Sequence, residues 1–113
     1  MSADYTSAID AGHARVITLQ DRIAGFLVGW AEADAYFVES VAMHPDWQGR
    51  GLGRALLNDA IADARRMRLS AVRLYTNELM TENIAGYCKM GFRETHRATE
   101  AGFRRVYLRL PLD

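Results

Sequence analysis

The chain has 113 residues, zero formal net charge and a mass of 12.7 kDa, so we expect one domain over residues 1–113. Half the residues are apolar and a quarter are charged, which excludes an intrinsically disordered chain. The longest apolar run, residues 23–31, is shorter than the ~20 residues of a membrane span, and the acidic start is unlike a signal peptide. The single cysteine, Cys88, excludes an internal disulfide framework and favours a reducing, cytoplasmic compartment.

The charges are distributed unevenly along the chain. Residues 1–48 carry seven acidic and two basic side chains, a net charge of −5, and residues 49–113 carry seven acidic and twelve basic ones, a net charge of +5. The basic half favours an anionic ligand there, and the alternative is that its arginines only solvate helix faces. The chain has neither a lysine-rich patch nor interleaved aromatics in its basic half, and its overall charge is zero, so we expect no nucleic-acid partner. The short apolar run likewise predicts no membrane partner.

The first half of the chain predicts the end of a helix and then three strands. Over residues 1–12, Tyr5, Ala8 and Ile9 fall at helical spacing, and Gly12 stands where a helix C-cap would. Short polar turns separate the three strand candidates, which therefore predict an antiparallel meander. These strands are predicted over residues 15–19, 23–31 and 36–43.

The second half alternates helices and strands. Apolar residues recur at helical spacing over 52–67, which predicts an amphipathic helix. A short strand over 71–75 and a second helix over 81–90 follow, and a hairpin over 92–96 and 103–110 ends the chain. The order of elements predicts a mixed α/β fold of the α+β type.

A glycine-rich loop, Gln48-Gly49-Arg50-Gly51-Leu52-Gly53, connects the meander to the first long helix. Glycines let the backbone pass close to a ligand, and the unpaired N–H groups at a helix start bind anions such as pyrophosphate. Arg50 and Arg54 would add charge-assisted contacts. The Gly-Lys-Ser/Thr of a P-loop is absent, and the alternative is a turn that only starts the helix.

Two motifs carry a family resemblance. The segment from Val41 to Leu57 resembles the acetyl-CoA-binding motif of the GCN5-related N-acetyltransferases (GNAT), and Gln48, Gly51 and Gly53 match its Arg/Gln-x-x-Gly-x-Gly/Ala pattern. The segment Asn83-Ile-Ala-Gly-Tyr87-Cys-Lys-Met-Gly91-Phe92 resembles the family's second signature, Asn…Tyr-x-x-x-Gly-Phe. The resemblance extends from about residue 21 to residue 110.

The resemblance implies a fold and a cofactor site. The fold is a mainly antiparallel sheet with helices on both faces and a splayed central strand pair, opened by a β-bulge. The pantetheine arm of acetyl-CoA, the co-substrate, would bond to the backbone of Val41 and Met43 in that splay. Its pyrophosphate would accept hydrogen bonds from the loop that comprises Gln48, Gly49, Arg50, Gly51, Leu52, Gly53 and Arg54.

The resemblance also implies a reaction, in which a primary amine attacks acetyl-CoA directly in a ternary complex without a metal. Tyr87 would protonate the departing thiolate, and the alternative for it is a buried core aromatic. Asn83, one turn earlier, would bond to CoA or to Tyr87. Glu39 would act as the base, directly or through water, and partial burial would strengthen it. The alternative for Glu39 is a salt-bridged strand glutamate.

The start of the chain departs from the family pattern of a strand and two helices before the meander. Residues 1–12 suffice only for the tail of the second helix, so we expect the opening strand and first helix to be absent. The strand at residues 14–19 would then be a bare sheet edge, and one face would lose its cover. Three explanations stay open: a natural chain that starts before Met1, a homodimer that covers the edge, and a non-catalytic acyl-CoA-binding module that serves as a sensor or structural part. The acceptor, a small-molecule or peptide amine, is not specified by these motifs.

Overall fold

The structure is a computed structural model that describes residues 4–9, 14–49 and 51–112. These residues form one sheet of seven strands, two α-helices and one short 3₁₀ turn. The strands are β1 (Asp4–Ile9), β2 (Ala14–Leu19), β3 (Arg22–Glu32), β4 (Ala35–Met43), β5 (Ala71–Asn77), β6 (Arg93–Glu100) and β7 (Phe103–Pro111). The helices are α1 (Leu52–Arg66) and α2 (Thr81–Lys89), and the 3₁₀ turn is Pro45–Trp47.

The sheet has the order β1-β2-β3-β4-β5-β7-β6, and only β4 and β5 pair in parallel. The predicted meander and the predicted mixed, mainly antiparallel sheet are therefore confirmed. Two hairpins turn on residue pairs with positive φ, Gln20–Asp21 between β2 and β3 and Ala101–Gly102 between β6 and β7. Such two-residue turns match the twist of antiparallel strands.

The prediction for the start of the chain is wrong. Residues 4–9 form strand β1 rather than the end of a helix, and β1 pairs antiparallel with β2 from Asp4↔Thr18 to Ile9↔Ala14. A strand therefore precedes the meander, and β2 is not a bare edge. The homodimer was expected because it would cover that edge, so this argument for a homodimer no longer holds. Six residues are too few for the spacing of apolar side chains to distinguish a helix from a strand. The edge of β2 offers hydrogen-bond partners to the backbone of residues 4–9, which favours the strand. The predicted cap, Gly12, lies outside the described residues.

Both helices lie on the same face of the sheet. The connections β4-α1-β5 and β5-α2-β6 each join parallel strands and advance in the same direction across the sheet, and right-handed crossovers then place both helices on one side. Ile84 and Tyr87 of α2 accordingly pack against the core cluster that contains Leu56 and Leu57 of α1. The resemblance implied helices on both faces of the sheet. Within the described residues, helices cover only one face. None of the helices described is long and apolar enough to cross a membrane.

The core is the layer between α1 and the sheet. Helix α1 buries one stripe, and strands β2 to β5 and β7 supply the opposing side chains. The stripe comprises Leu56, Leu57, Ala60, Ile61 and Ala64.

One charged side chain is also buried beneath α1. Arg15 of β2 pairs with Asp59 and Asp63 of α1, and its Nη2 donates to the Tyr36 hydroxyl at 3.3 Å. This network joins β2 and β4 to the helix.

Candidate functional site

The sheet opens between its two central strands. Strands β4 and β5 pair only from Ala35↔Ala71 to Val38↔Leu74, although β4 continues to Met43 and β5 to Asn77. Beyond Val38, no described strand pairs with the β5 side of β4, while β3 still pairs with its other side as far as Met43. We call this gap the wedge. The N–H and C=O groups of residues 39–43 along it can pair with an extended ligand, as the splay prediction requires.

A β-bulge lies where the wedge begins. Val28 pairs with Ser40 and Gly29 pairs with Val38, so Glu39 is the extra residue on β4. One inserted residue shifts the alternation of side chains, and Val41 and Met43 after it pack against the same core cluster as Val38 before it. The structure therefore contains the predicted bulge and splay.

The loop after β4 is held by local hydrogen bonds. The Asp46 N–H donates to His44 Nδ1 at 3.1 Å at the start of the 3₁₀ turn. The Gln48 side-chain amide donates to the Met43 carbonyl at 3.3 Å, and its backbone N–H donates to the Pro45 carbonyl at 3.4 Å. Gln48 thus braces the loop between β4 and α1.

Helix α1 begins with free donors. Gly49 and Gly51 have φ of +78° and +76°, a left-handed conformation that other residues adopt only with strain. Gly51 is the N-cap, and the first helical bond runs from the Ala55 N–H to its carbonyl, so the N–H groups of residues 52–54 have no partner within the helix. No side chain caps this end, and its first turn holds no acidic residue. Three donors and the positive end of the helix dipole make an anion site here.

The free edge of β4 and the start of α1 are neighbours. A Cβ on Gly53 would lie 3.7 Å from Met43 Cγ and 3.9 Å from Val41 Cγ1, which is ordinary van der Waals contact. An extended ligand along β4 would therefore reach the helix N-terminus directly. Arg54 is exposed at this end, and the predicted contact of Arg50 lies outside the described residues.

Helix α2 contributes Tyr87 and Asn83. Tyr87 is partly buried against the core cluster, as are Val41 and Met43, and its ring lies 5.8 Å from that of Phe92. Burial raises the pKa of the Tyr87 phenol above its ordinary value of 10.0, so the hydroxyl stays protonated and able to donate. Asn83, one turn earlier, is exposed. The structure thus places a neutral donor on α2, whose helix packs on the same side of the sheet as α1.

Glu39 lies at the bulge with an exposed side chain, so the partial burial that would strengthen it as a base is not present. Among the described residues it forms no ion pair, which counts against the alternative of a salt-bridged glutamate. Its role as the base remains a prediction. Cys88 is a free, exposed cysteine on α2.

The model of the family described as "Acetyltransferase (GNAT) domain" matches residues 10–94, which are three quarters of the chain. The chain belongs to the GNAT acetyltransferase family. This GNAT domain is 32% identical over 78 residues to the [ribosomal protein bS18]-alanine N-acetyltransferase of Salmonella typhimurium, an alignment that covers 69% of this chain and 53% of that protein. It is 40% identical over 66 residues to the mycothiol acetyltransferase of Geodermatophilus obscurus, which covers 58% of this chain and 21% of that protein.

A solved structure of the ribosomal-protein-S18-alanine N-acetyltransferase from Escherichia coli resembles this GNAT domain with a TM-score of 0.78 and 25% identity. The superposition covers 87% of this chain and 67% of that one. The chain spans about half of the curated relative from Salmonella typhimurium and about a fifth of the one from Geodermatophilus obscurus.

The face of the sheet opposite α1 holds a feature that the sequence motifs missed. We call it the open face, and it presents a row of partly exposed rings: Trp30, Phe37, Tyr75, Tyr107 and His96. Strand alternation was the available signal, because Phe37, Tyr75 and Tyr107 each stand next to a residue of the core cluster and so face the other way. The strand order that brings the rings together could not be derived from the motifs.

Proposed function

We propose that this GNAT domain is an N-acetyltransferase that transfers an acetyl group from acetyl-CoA to a primary amine. One observation carries the proposal: the free edge of β4 leads directly to the uncapped N-terminus of α1. Backbone groups of Val41 and Met43 would bond to the extended pantetheine arm as to an added strand. The N–H groups of Leu52, Gly53 and Arg54 would bind the pyrophosphate. The names of the relatives, all acetyltransferases, support the same activity.

The proposed reaction has two proton problems, and the domain offers a group for each. Acetyl-CoA supplies an activated thioester, and attack by the amine forms a C–N bond and breaks the C–S bond. Tyr87 donates a proton or a hydrogen bond to the departing thiolate, as its raised pKa permits. Glu39, the extra residue of the bulge where the wedge begins, takes the proton that the amine must lose, directly or through water. No step needs a metal or Cys88.

A non-catalytic acyl-CoA-binding module is the second candidate, and one observation favours it. Both described helices pack on the face that would hold acetyl-CoA, while the open face carries no helix within residues 14–49 and 51–112. For this candidate, the acceptor site lacks the cover that an active enzyme needs. This candidate predicts the same acetyl-CoA affinity and no transfer.

Calorimetric titration with acetyl-CoA, followed by thiol release with a panel of amines, tests both candidates. We expect acetyl-CoA to bind the wild type and the Gly53→Ala control, because a Cβ fits at that position. Gly53→Glu should lose binding, since it places a carboxylate beside the proposed pyrophosphate. Binding without turnover on any amine would favour the non-catalytic module, and failure of the wild type to bind would reject both candidates.

A further inference from the structure

The ring row is continuous across five strands. Successive ring centroids, from Trp30 through Phe37, Tyr75 and Tyr107 to His96, lie 5.5, 6.0, 5.6 and 4.3 Å apart. The residues that precede Phe37 and Tyr75 and follow Tyr107 belong to the core cluster under α1, so the rings point away from the helices. The row is therefore a surface of its own on the open face.

The charges around the row are already paired. The Arg105 guanidinium lies 4.2 Å above the Tyr75 ring and donates to Glu100 at 3.0 Å, and the Tyr107 hydroxyl also donates to Glu100. Arg73 repeats the arrangement over the neighbouring ring and pairs with a glutamate of β3. Because these cations have carboxylate partners, the row offers ring surface rather than a site for phosphate or carboxylate.

The middle of the row lies at the mouth of the wedge. The last pair between β4 and β5 is Val38↔Leu74, so Tyr75 is the first residue of β5 beyond it. The α1 N-terminus and Tyr87 belong to the helix side of the sheet. If acetyl-CoA occupies the wedge from that side, the amine must reach the thioester from the open face, where Phe37, Tyr75 and Tyr107 stand.

Two further apolar side chains are exposed near the end of β5. Leu79 is 81% exposed in the β5–α2 loop, and Phe103 is 59% exposed at the start of β7. The Glu78 N–H donates to the Arg104 carbonyl at 3.0 Å, which holds the loop beside β7. Exposed apolar groups thus flank the end of β5 at which the wedge opens.

We propose that Phe37, Tyr75 and Tyr107 form the acceptor-binding surface, and that the acceptor is a primary amine with an aromatic ring a few bonds from its nitrogen. The proposal rests on the proposed acetyl transfer. Ring edges and faces of the row would pack against the ring of the acceptor. A free arylalkylamine and a peptide that begins with an aromatic residue share this chemistry.

The test compares acceptors that differ in one feature. With saturating acetyl-CoA, we expect 2-phenylethylamine to have a kcat/KM about 10-fold above that of n-butylamine, the scale of one or two aromatic contacts. A tripeptide that begins with phenylalanine, beside one that begins with alanine, distinguishes the peptide source from the free amine. Equal kcat/KM values for aromatic and aliphatic acceptors in both pairs would overturn the proposal.

Substitutions in the ring row test whether its rings contribute to acceptor binding. Tyr75→Leu should raise the KM for 2-phenylethylamine about 5- to 10-fold while the kcat and the acetyl-CoA Kd stay unchanged, and Tyr75→Phe should restore the KM. Trp30→Leu removes a ring at the far end of the row and is the matched control, with no change in KM expected. A KM that responds equally to Trp30→Leu and Tyr75→Leu would refute a specific acceptor surface.

Two measurements separate the acceptor surface from the proposed acetyl transfer on which it rests, and from a second copy of the chain that could bind the same rings. Titration of the CoA-loaded protein with 2-phenylethylamine, followed by tyrosine NMR signals, reports binding without turnover. Binding that depends on Tyr75 but gives no product would support the surface and refute acetyl transfer. Light scattering that finds a dimer in the wild type and a monomer in Tyr75→Leu would assign the row to a second copy of the chain and overturn the acceptor proposal.

Discussion

Replacement of Tyr87 by phenylalanine removes one hydroxyl and little else. The ring, which packs against the core cluster at 5.8 Å from Phe92, is retained, so we expect the free energy of unfolding to change by less than about 1 kcal/mol. What is lost is the only proton that this side chain could donate to a thiolate. The effect should therefore appear in turnover and not in folding or in acetyl-CoA binding.

The magnitude follows from the partner and from burial. A hydrogen bond to a charged group contributes about 1.5–3 kcal/mol, which corresponds to about 10- to 150-fold in kcat. Tyr87 is only partly buried, so water can replace part of the lost donor. We therefore expect the lower part of that range, a fall in kcat of about 10- to 50-fold.

The assay is thiol release at saturating acetyl-CoA and amine, with acetyl-CoA affinity measured separately by calorimetry. Tyr36→Phe is the matched control, because the Tyr36 hydroxyl accepts from buried Arg15 and serves the fold. That variant should lower the free energy of unfolding and leave kcat unchanged. An unchanged kcat in Tyr87→Phe would reject Tyr87 as the donor, and a parallel loss of binding and turnover would indicate a ground-state contact.

Three further predictions concern stability. Gly86 lies within α2, and a methyl group added there would have nothing within 4 Å, so Gly86→Ala should stabilise the domain by about 0.5–1 kcal/mol and raise the Tm by a few degrees in thermal unfolding. Arg15→Met should cost about 2 kcal/mol in denaturant titration, less than a fully buried pair, because the Asp59 and Asp63 side chains left behind are 35% and 27% exposed. The raised pKa of Tyr87 means that its contribution is fully present below pH 10 and is lost as pH rises through the folded-state pKa. Alkaline unfolding should therefore be steeper in the wild type than in Tyr87→Phe, and identical curves would contradict the burial of this phenol.

The elements with strong local patterns could be predicted from the sequence. The stripe from Leu56 to Ala64 is buried as helical spacing requires, and Gly51 takes the left-handed conformation that a glycine at a helix start permits. In each case, the residues that decide the structure are close in sequence. The donor half of the site shares this property, since the free β4 edge, the loop and the start of α1 are consecutive along the chain.

The sequence-based predictions failed where residues far apart in the chain determine the local structure. Residues 4–9 are too few to distinguish a helix from a strand, and the available edge of β2 decided between them. The exposure of Glu39 depends on a bulge whose register is set by β3. The ring row needs the strand order β3-β4-β5-β7-β6, which places Tyr75 directly opposite Tyr107 although 32 positions separate them in the chain. Contacts between residues so far apart cannot be predicted from any single motif.

The position of the wedge links the two halves of the site. Strands β4 and β5 are parallel neighbours, so they can separate toward their carboxyl ends without breaking the antiparallel pairs on either side. The opening therefore passes through the middle of the sheet and connects the helix side with the open face. A thioester held in such an opening is accessible to a donor from the helix side and to an acceptor from the other. On this geometry, substitutions of the α1 N-terminus should change acetyl-CoA affinity and those of Tyr75 should change acceptor KM, because the two sets of residues lie on opposite sides of one sheet.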